Sequence, residues 1–107
     1  MISLVIPLFN EEENIPILAK QIEETMSAHN IQWECIWVDD GSTDKSWDSV
    51  LSLSKDHRAI RLAKNSGQAT AIMAGIDASR SDIIVTMDAD LQNDPSDIPK
   101  LLDRLNS

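Results

Sequence analysis

A single cysteine, Cys35, rules out any internal disulfide and permits a reducing compartment. Set in an apolar stretch, it reads as a small core residue. Positive charge is scarce: 9 Lys and Arg stand against 18 Asp and Glu, a formal net charge of −9, which argues against a nucleic-acid backbone as the main partner. A cation, or an anionic substrate bridged by a metal, suits such a chain better. No apolar run approaches the roughly 20 residues that cross a bilayer. The opening MISLVIPLF has no basic leader, carries a proline and runs at once into NEEEN, which makes it a poor signal peptide. The chain by itself is expected to be soluble. Neither G-x-G-x-x-G nor G-x-x-x-x-G-K-[ST] occurs, which disfavours a dinucleotide-binding domain and a P-loop NTPase. At 107 residues, one domain with one core is expected.

What is present is an alternation of two hydrophobic periods. Residues 2–7, 34–38 and 83–87 are short apolar runs rich in Ile and Val, each stopped by turn or acidic residues, and 59–62 is a weaker fourth. They read as buried strands. Between them, Ile15, Leu18, Ile22 and Met26 recur at helical spacing, as do Ala69, Ile72, Met73 and Ile76, with a shorter stripe at Trp47, Val50 and Leu51. A fourth helix is announced by Ser96 as N-cap, Asp97 in the first turn, an early Pro99, and Ile98, Leu101, Leu102 and Leu105 as its apolar face. The order β-α-β-α-β-α-β-α predicts an α/β fold, a mostly parallel sheet with helices on both faces and right-handed crossovers. This architecture usually continues into more strands, so a fragment of a longer domain is expected.

The acidic clusters all follow strands: NEEE after the first, DDGSTD after the second, DADLQND after the fourth. Ligands of open α/β sheets bind at the carboxyl ends of the strands. The clusters therefore share one rim. Asp88 and Asp90 are two apart, so persistence of strand geometry through Ala89 would turn both carboxylates to one face. Mg²⁺ or Mn²⁺ prefers such oxygen donors and completes its shell with water and phosphate. Gln92 could add a carbonyl oxygen. In VDDGSTD, Val38 closes a strand, Gly41 allows a tight turn and Ser42 or Thr43 can cap a helix, which leaves one of Asp39 and Asp40 for a base or ribose. Glu11 reads either as a first-turn acid or as a ligand contact. Lys64 reads as a phosphate partner or as an ordinary solvated lysine, beside Asn65 and Gly67 at a helix start, and Ala69, Ala74 and Gly75 are small enough to let that helix pack closely. His29 and His57 read as surface residues, and the tryptophans as packing.

Taken together, IPLFNEEENI, VDDGSTD, KNSGQATAIMAG and MDADLQNDP, in this order and spacing, resemble the N-terminal half of inverting family 2 glycosyltransferases, in particular the polyprenyl-phosphate, dolichyl-phosphate mannosyltransferase-like branch. The resemblance implies a Rossmann-like GT-A fold, a nucleoside-diphosphate sugar donor, a divalent Mg²⁺ or Mn²⁺, and a polyprenyl-phosphate acceptor met at the cytoplasmic face of a membrane. By matching position, it places Pro7, Phe9, Glu11, Val38 and Asp40 around the nucleotide, with Asp39 and Lys64 close by. Asp88, Ala89 and Asp90 fall at the metal and pyrophosphate, Gln92 becomes a further metal ligand, and Asp90 takes the catalytic role. Phe9 stands where many relatives have tyrosine. In the family the acceptor-binding basic residues and any membrane-spanning segments come later than this stretch. Residues 1–107 are therefore expected to bind donor without completing transfer, and to self-associate through an uncovered fourth strand. A receiver-like signalling domain, the rival class, would carry its acidic pair after the first strand.

Overall fold

The computed structural model describes residues 1–105. Strands β1 (Ile2–Leu8), β2 (Trp33–Asp39), β3 (His57–Arg61) and β4 (Ile83–Thr86) alternate with helices α1 (Ile15–Ala28), α2 (Ser46–Leu51), α3 (Gln68–Ala78) and α4 (Ile98–Leu105). The four strands form one parallel sheet in the order β3-β2-β1-β4. All seven residues of β1 are buried, as a central strand covered on both faces requires, whereas β3 and β4 lie at the edges and are half-buried.

Strand alternation sends Leu4, Ile6, Leu8, Cys35 and Trp37 to the face covered by α1 and α2 and by Ile98 at the start of α4. Ile36 and Val38 turn to the opposite face, where Ala71 of α3 meets them. Here the expected helix stripe is corrected. Met73 and Ala69 are exposed, and the buried residues of α3 are Ala71 and Gly75. The helix lies so close to the sheet that a side chain added at Gly75 would overlap Val5 Cγ1 and stand 3.2 Å from Val38 Cγ2. Close approach selects the smallest residues for the contact, not the largest.

Three other expectations change. The cap before α4 is Asp94, whose Oδ1 accepts from the Ser96 N–H at 2.9 Å, and a single 3₁₀ turn, Pro95–Asp97, precedes the helix. That bond lowers the Asp94 pKa. Of the apolar residues assigned to α4, only Ile98 is fully buried, and Leu101 and Leu105 are exposed; so is Leu51 of α2. His57 is not a surface residue: Trp37 Nε1 donates to its Nδ1 at 2.9 Å, which leaves Nε2–H to donate to Glu23 Oε2 at 2.8 Å.

The amino end of the sheet is locked by Glu34. Its carboxylate accepts from the Ser3 hydroxyl, from Arg58 Nη1 at 2.8 Å and from the Arg80 N–H at 2.7 Å, joining β1, β2, β3 and the chain beyond α3. Burial pushes the Glu34 pKa up, but the three hydrogen bonds and the Arg58 charge outweigh it and hold the carboxyl below its ordinary value. Burial raises the Cys35 thiol far above its usual range, consistent with an inert core residue.

Candidate functional site

At the carboxyl ends of β1, β2 and β4 opens a pocket of about 370 Å³. From β1 the chain winds outward to β2 and β3, and β4 then adds on the other side. The pocket therefore sits at the point where the sheet reverses direction, the usual ligand crevice of open α/β folds.

Pro7 forms part of its wall. A proline in a central strand normally forfeits a ladder bond, but here the position makes that harmless. Val5 O accepts from the Met87 N–H at 3.1 Å, so alternate residues of β1 turn their backbone polar groups toward β4. Two residues on, the nitrogen of Pro7 faces a stretch where β4, ending at Thr86, no longer pairs. The missing donor falls at the mouth of the crevice.

The loop after β1 is stitched to the loop after β2. Asn10, at φ 54°, accepts through Oδ1 from the Thr43 N–H at 2.9 Å, and the Asn10 and Glu11 N–H groups donate to Ser42 Oγ and Ser46 Oγ, each at 2.9 Å. Asp44 Oδ1 accepts from the Ser46 N–H at 2.9 Å. Burial raises the Asp44 pKa, and its bonds from Ser46 and Glu12 bring it below the ordinary value. Ser42, Asp44 and Ser46 thus hold the loops together. Phe9 and Glu11 are left on the pocket wall, with Glu11 Oε2 accepting from Asn14 Nδ2 at 2.8 Å.

The two acids of VDDGSTD have different fates. Asp39 is fully buried: Oδ1 accepts from the Ser42 N–H at 2.8 Å, while Oδ2 has no hydrogen bond and faces Arg61 Nε at 3.7 Å. It does not line the pocket. Asp40 does, and both its oxygens are engaged, Oδ1 by the Ser66 N–H at 2.7 Å and Oδ2 by the Gly67 N–H at 2.9 Å. Gly41, at φ 80°, completes this clasp, because a Cβ there would come within 2.7 Å of Asn65 N and 2.8 Å of the Lys64 carbonyl carbon. Val38, expected beside the nucleotide, is instead a core residue packed under α3. Lys64 is exposed and lies outside the pocket, whereas Asn65, Gly67 and Gln68 line it.

Beyond β4, Met87 and Ala89 are buried while Asp88 and Asp90 are exposed, so the two-residue alternation outlasts the strand. Both carboxylates join the pocket, with Ala89 between them. Leu91, at φ 67°, then turns the chain away. The side chain of Gln92 is not brought to the pair: Gln92 lines a neighbouring groove between β4 and α4, and its N–H donates to Asp90 Oδ1 at 3.1 Å. Asp88 Oδ1 accepts from Gln68 Nε2 at 3.0 Å, and the Asp88 N–H donates to Asn93 Oδ1 at 3.0 Å. Neither Gln68 nor Asn93 was singled out from the sequence. The one signal was a polar residue directly after Gly67 at a helix start. Among the described residues no group of three or more His, Cys, Asp or Glu could hold a metal by itself. Two carboxylate oxygens with room for water and phosphate is the donor set a hard cation accepts.

The sheet order, helices on both faces and a rim of acids at the reversal point are those of a GT-A-type α/β fold. The family model "Glycosyl transferase family 2" matches residues 3–107, and the chain belongs to that family. It is 43% identical over 108 residues to the dodecaprenyl-phosphate galacturonate synthase of Rhizobium johnstonii, an alignment covering 97% of this chain and 32% of that protein. It is equally 43% identical over 109 residues to the undecaprenyl-phosphate 4-deoxy-4-formamido-L-arabinose transferase of Pectobacterium carotovorum, covering 95% of this chain and 32% of the relative. The chain thus spans about a third of the length of these curated relatives. Among solved structures, glucosyl-3-phosphoglycerate synthase of Mycobacterium tuberculosis, in complex with Mn²⁺, uridine diphosphate and phosphoglyceric acid, superposes with a TM-score of 0.79 at 26% identity, over 98% of this chain and 38% of that one.

Proposed function

We propose that residues 1–107 form the donor-binding part of a glycosyltransferase that moves a sugar, with inversion, from a nucleoside diphosphate to a polyprenyl phosphate at the cytoplasmic face of a membrane. The observation that carries this reading is the convergence of Asp88 and Asp90 on the pocket that Glu11, Asp40 and the start of α3 close from the other side. The two curated relatives, named for polyprenyl-phosphate products or acceptors, support the acceptor class. The Mn²⁺ and uridine diphosphate of the structural relative support a metal-assisted nucleotide site.

Asp88 and Asp90 would hold Mg²⁺ or Mn²⁺, which when bound offsets the charge that builds on a departing nucleoside diphosphate. Pro7, Phe9 and Glu11 would pack and orient the nucleoside. Asp40 would keep the loop at 64–67 against it, and the first turn of α3 would present its N–H groups to phosphate. Charge stabilisation by a pre-organised rim is worth several kcal/mol in such reactions. A phosphate acceptor, with a second pKa of about 6, is already an anion near pH 7 and needs alignment more than a strong base. Among the described residues that line the pocket there is no Lys or Arg to align it. Donor binding without turnover is therefore the expected behaviour of this chain alone. The half-buried, four-residue edge strand β4 supports self-association. Among the described residues no helix is long and apolar enough to cross a membrane.

The test is calorimetric titration of uridine and guanosine diphosphates with and without Mn²⁺, run beside a transfer assay to a polyprenyl phosphate. Affinity that rises with Mn²⁺ and loses that rise on Asp90→Ala supports the proposal. Metal-independent affinity, or no affinity for either nucleotide, refutes it.

A further inference from the structure

The two acids of the pair are held differently. Asp90 takes a local bond from the Gln92 N–H, two residues on. Asp88 is gripped twice: its backbone N–H by Asn93, within the same loop, and its carboxylate by Gln68, which reaches Oδ1 from α3 at 3.0 Å across 20 residues of sequence. The position of Gln68 is itself fixed, because the two residues before it, Ser66 and Gly67, donate their N–H groups to Asp40. A hydrogen-bonded path therefore runs from Asp40 at the end of β2, through the turn into α3, to Asp88 beyond the end of β4.

A donor on one carboxylate oxygen restricts rotation of the whole group and leaves the other oxygen for a ligand. Partners of this kind set the affinity of metal-binding carboxylates as strongly as they set their orientation. Gln68 is exposed, at the first position of its helix, and its bond to Asp88 faces solvent. Removing the amide opens no cavity and breaks no core contact, so a purely architectural role explains little of this arrangement.

We propose that Gln68 is a positioning residue for the acidic pair: it holds the Asp88 carboxylate in the orientation that receives a divalent cation together with the donor diphosphate. Through Asp40 it also ties the nucleoside side of the pocket to the metal side. This rests on the reading of the pocket as a metal-assisted nucleoside-diphosphate site.

The experiment titrates uridine and guanosine diphosphates into the 107-residue chain, each without and with Mn²⁺, for the parent, Gln68→Met, Gln68→Asn and Asp88→Asn, with melting temperatures recorded alongside. Methionine keeps the length of the side chain and loses the N–H; asparagine keeps the amide and is one methylene too short to reach. Both should cut the Mn²⁺-linked gain in affinity about 10-fold or more, a larger change than in metal-free affinity, with the melting temperature near that of the parent. An unchanged Mn²⁺-linked gain in Gln68→Met, while Asp88→Asn abolishes it, overturns the positioning role and leaves the site reading standing. Equal losses with and without metal also overturn it. Absence of any Mn²⁺-linked gain in the parent overturns both readings.

Discussion

Replacing Asp40 with asparagine alters one terminal atom and one charge, yet the structure predicts a large effect on stability. The Asp40 side chain is buried, and each of its oxygens already receives a backbone N–H, from Ser66 at 2.7 Å and Gly67 at 2.9 Å. An amide has one acceptor, so its NH₂ must face one of these donors. Hydrogen bonds to a charged group contribute about 1.5 to 3 kcal/mol each. Ser66 and Gly67 are exposed, so a released N–H regains water and the loss falls near the lower end, about 2 kcal/mol in all. For a domain of this size that corresponds to a melting temperature lower by roughly 10 °C. Thermal unfolding followed by circular dichroism measures the drop, and hydrogen exchange at Ser66 and Gly67 should accelerate in the variant. A melting temperature within about 2 °C of the parent, with unchanged exchange at these two amides, would refute the clasp and return Asp40 to the role of a simple ligand contact.

Gly75→Ala should destabilise: the added methyl overlaps Val5 and crowds Val38, and overpacking of about 1 to 3 kcal/mol outweighs the helix-propensity gain of about 1 kcal/mol. A higher urea midpoint than the parent would contradict this. Glu34 has a lowered folded-state pKa, so its contribution is complete above its ordinary value of 4.5 and disappears as pH falls below that toward the folded value. Glu34→Gln should therefore be less stable than the parent at pH 7 and show a flatter decline in stability below pH 4.5, and parallel acid profiles would argue against it. Asp90→Ala should weaken nucleoside-diphosphate binding and remove its Mn²⁺ dependence, and retention of metal-linked affinity in calorimetry would withdraw Asp90 from the metal site.

Most of the element order was legible because strand and helix periods differ, and because each acidic run stops a strand at the rim. The exposure of Asp88 and Asp90 on either side of buried Ala89 follows from the same alternation. The rotation of α3 was legible only in part: Gly75 read as a residue of close helix packing, which it is, but the stripe of large side chains pointed elsewhere. A periodicity search finds the stripe of large residues, Ile72, Met73 and Ile76, whereas contact at such short range is made by Ala71 and Gly75. Nor could adjacency reveal that Asp40 is committed to Ser66 and Gly67, since the turn that returns the chain is made 26 residues later. His57 misled for a related reason: it lies on an edge strand, and its burial depends on Trp37 and on Glu23 of α1. Sheet order was not legible in the residues themselves, because apolar strands alone do not state which neighbours pair.

The central position of β1 also bears on the order in which the molecule assembles. Ile2 pairs with Trp33 on one side and with Ile83 on the other, so β1 must wait until β4 has been made before its second edge is filled. Such distant parallel pairing is a slow step in folding. The β1 and β2 loops can meet early, but Asp88 and Asp90 arrive only with β4, four residues long and bonded along one side. The rim is thus completed by the least anchored strand of the sheet, the kind of segment that opens first in the native state. A ligand that joined the acidic pair to the older loops would act as a cross-link over this seam, slowing amide exchange in β4 before it did so anywhere else.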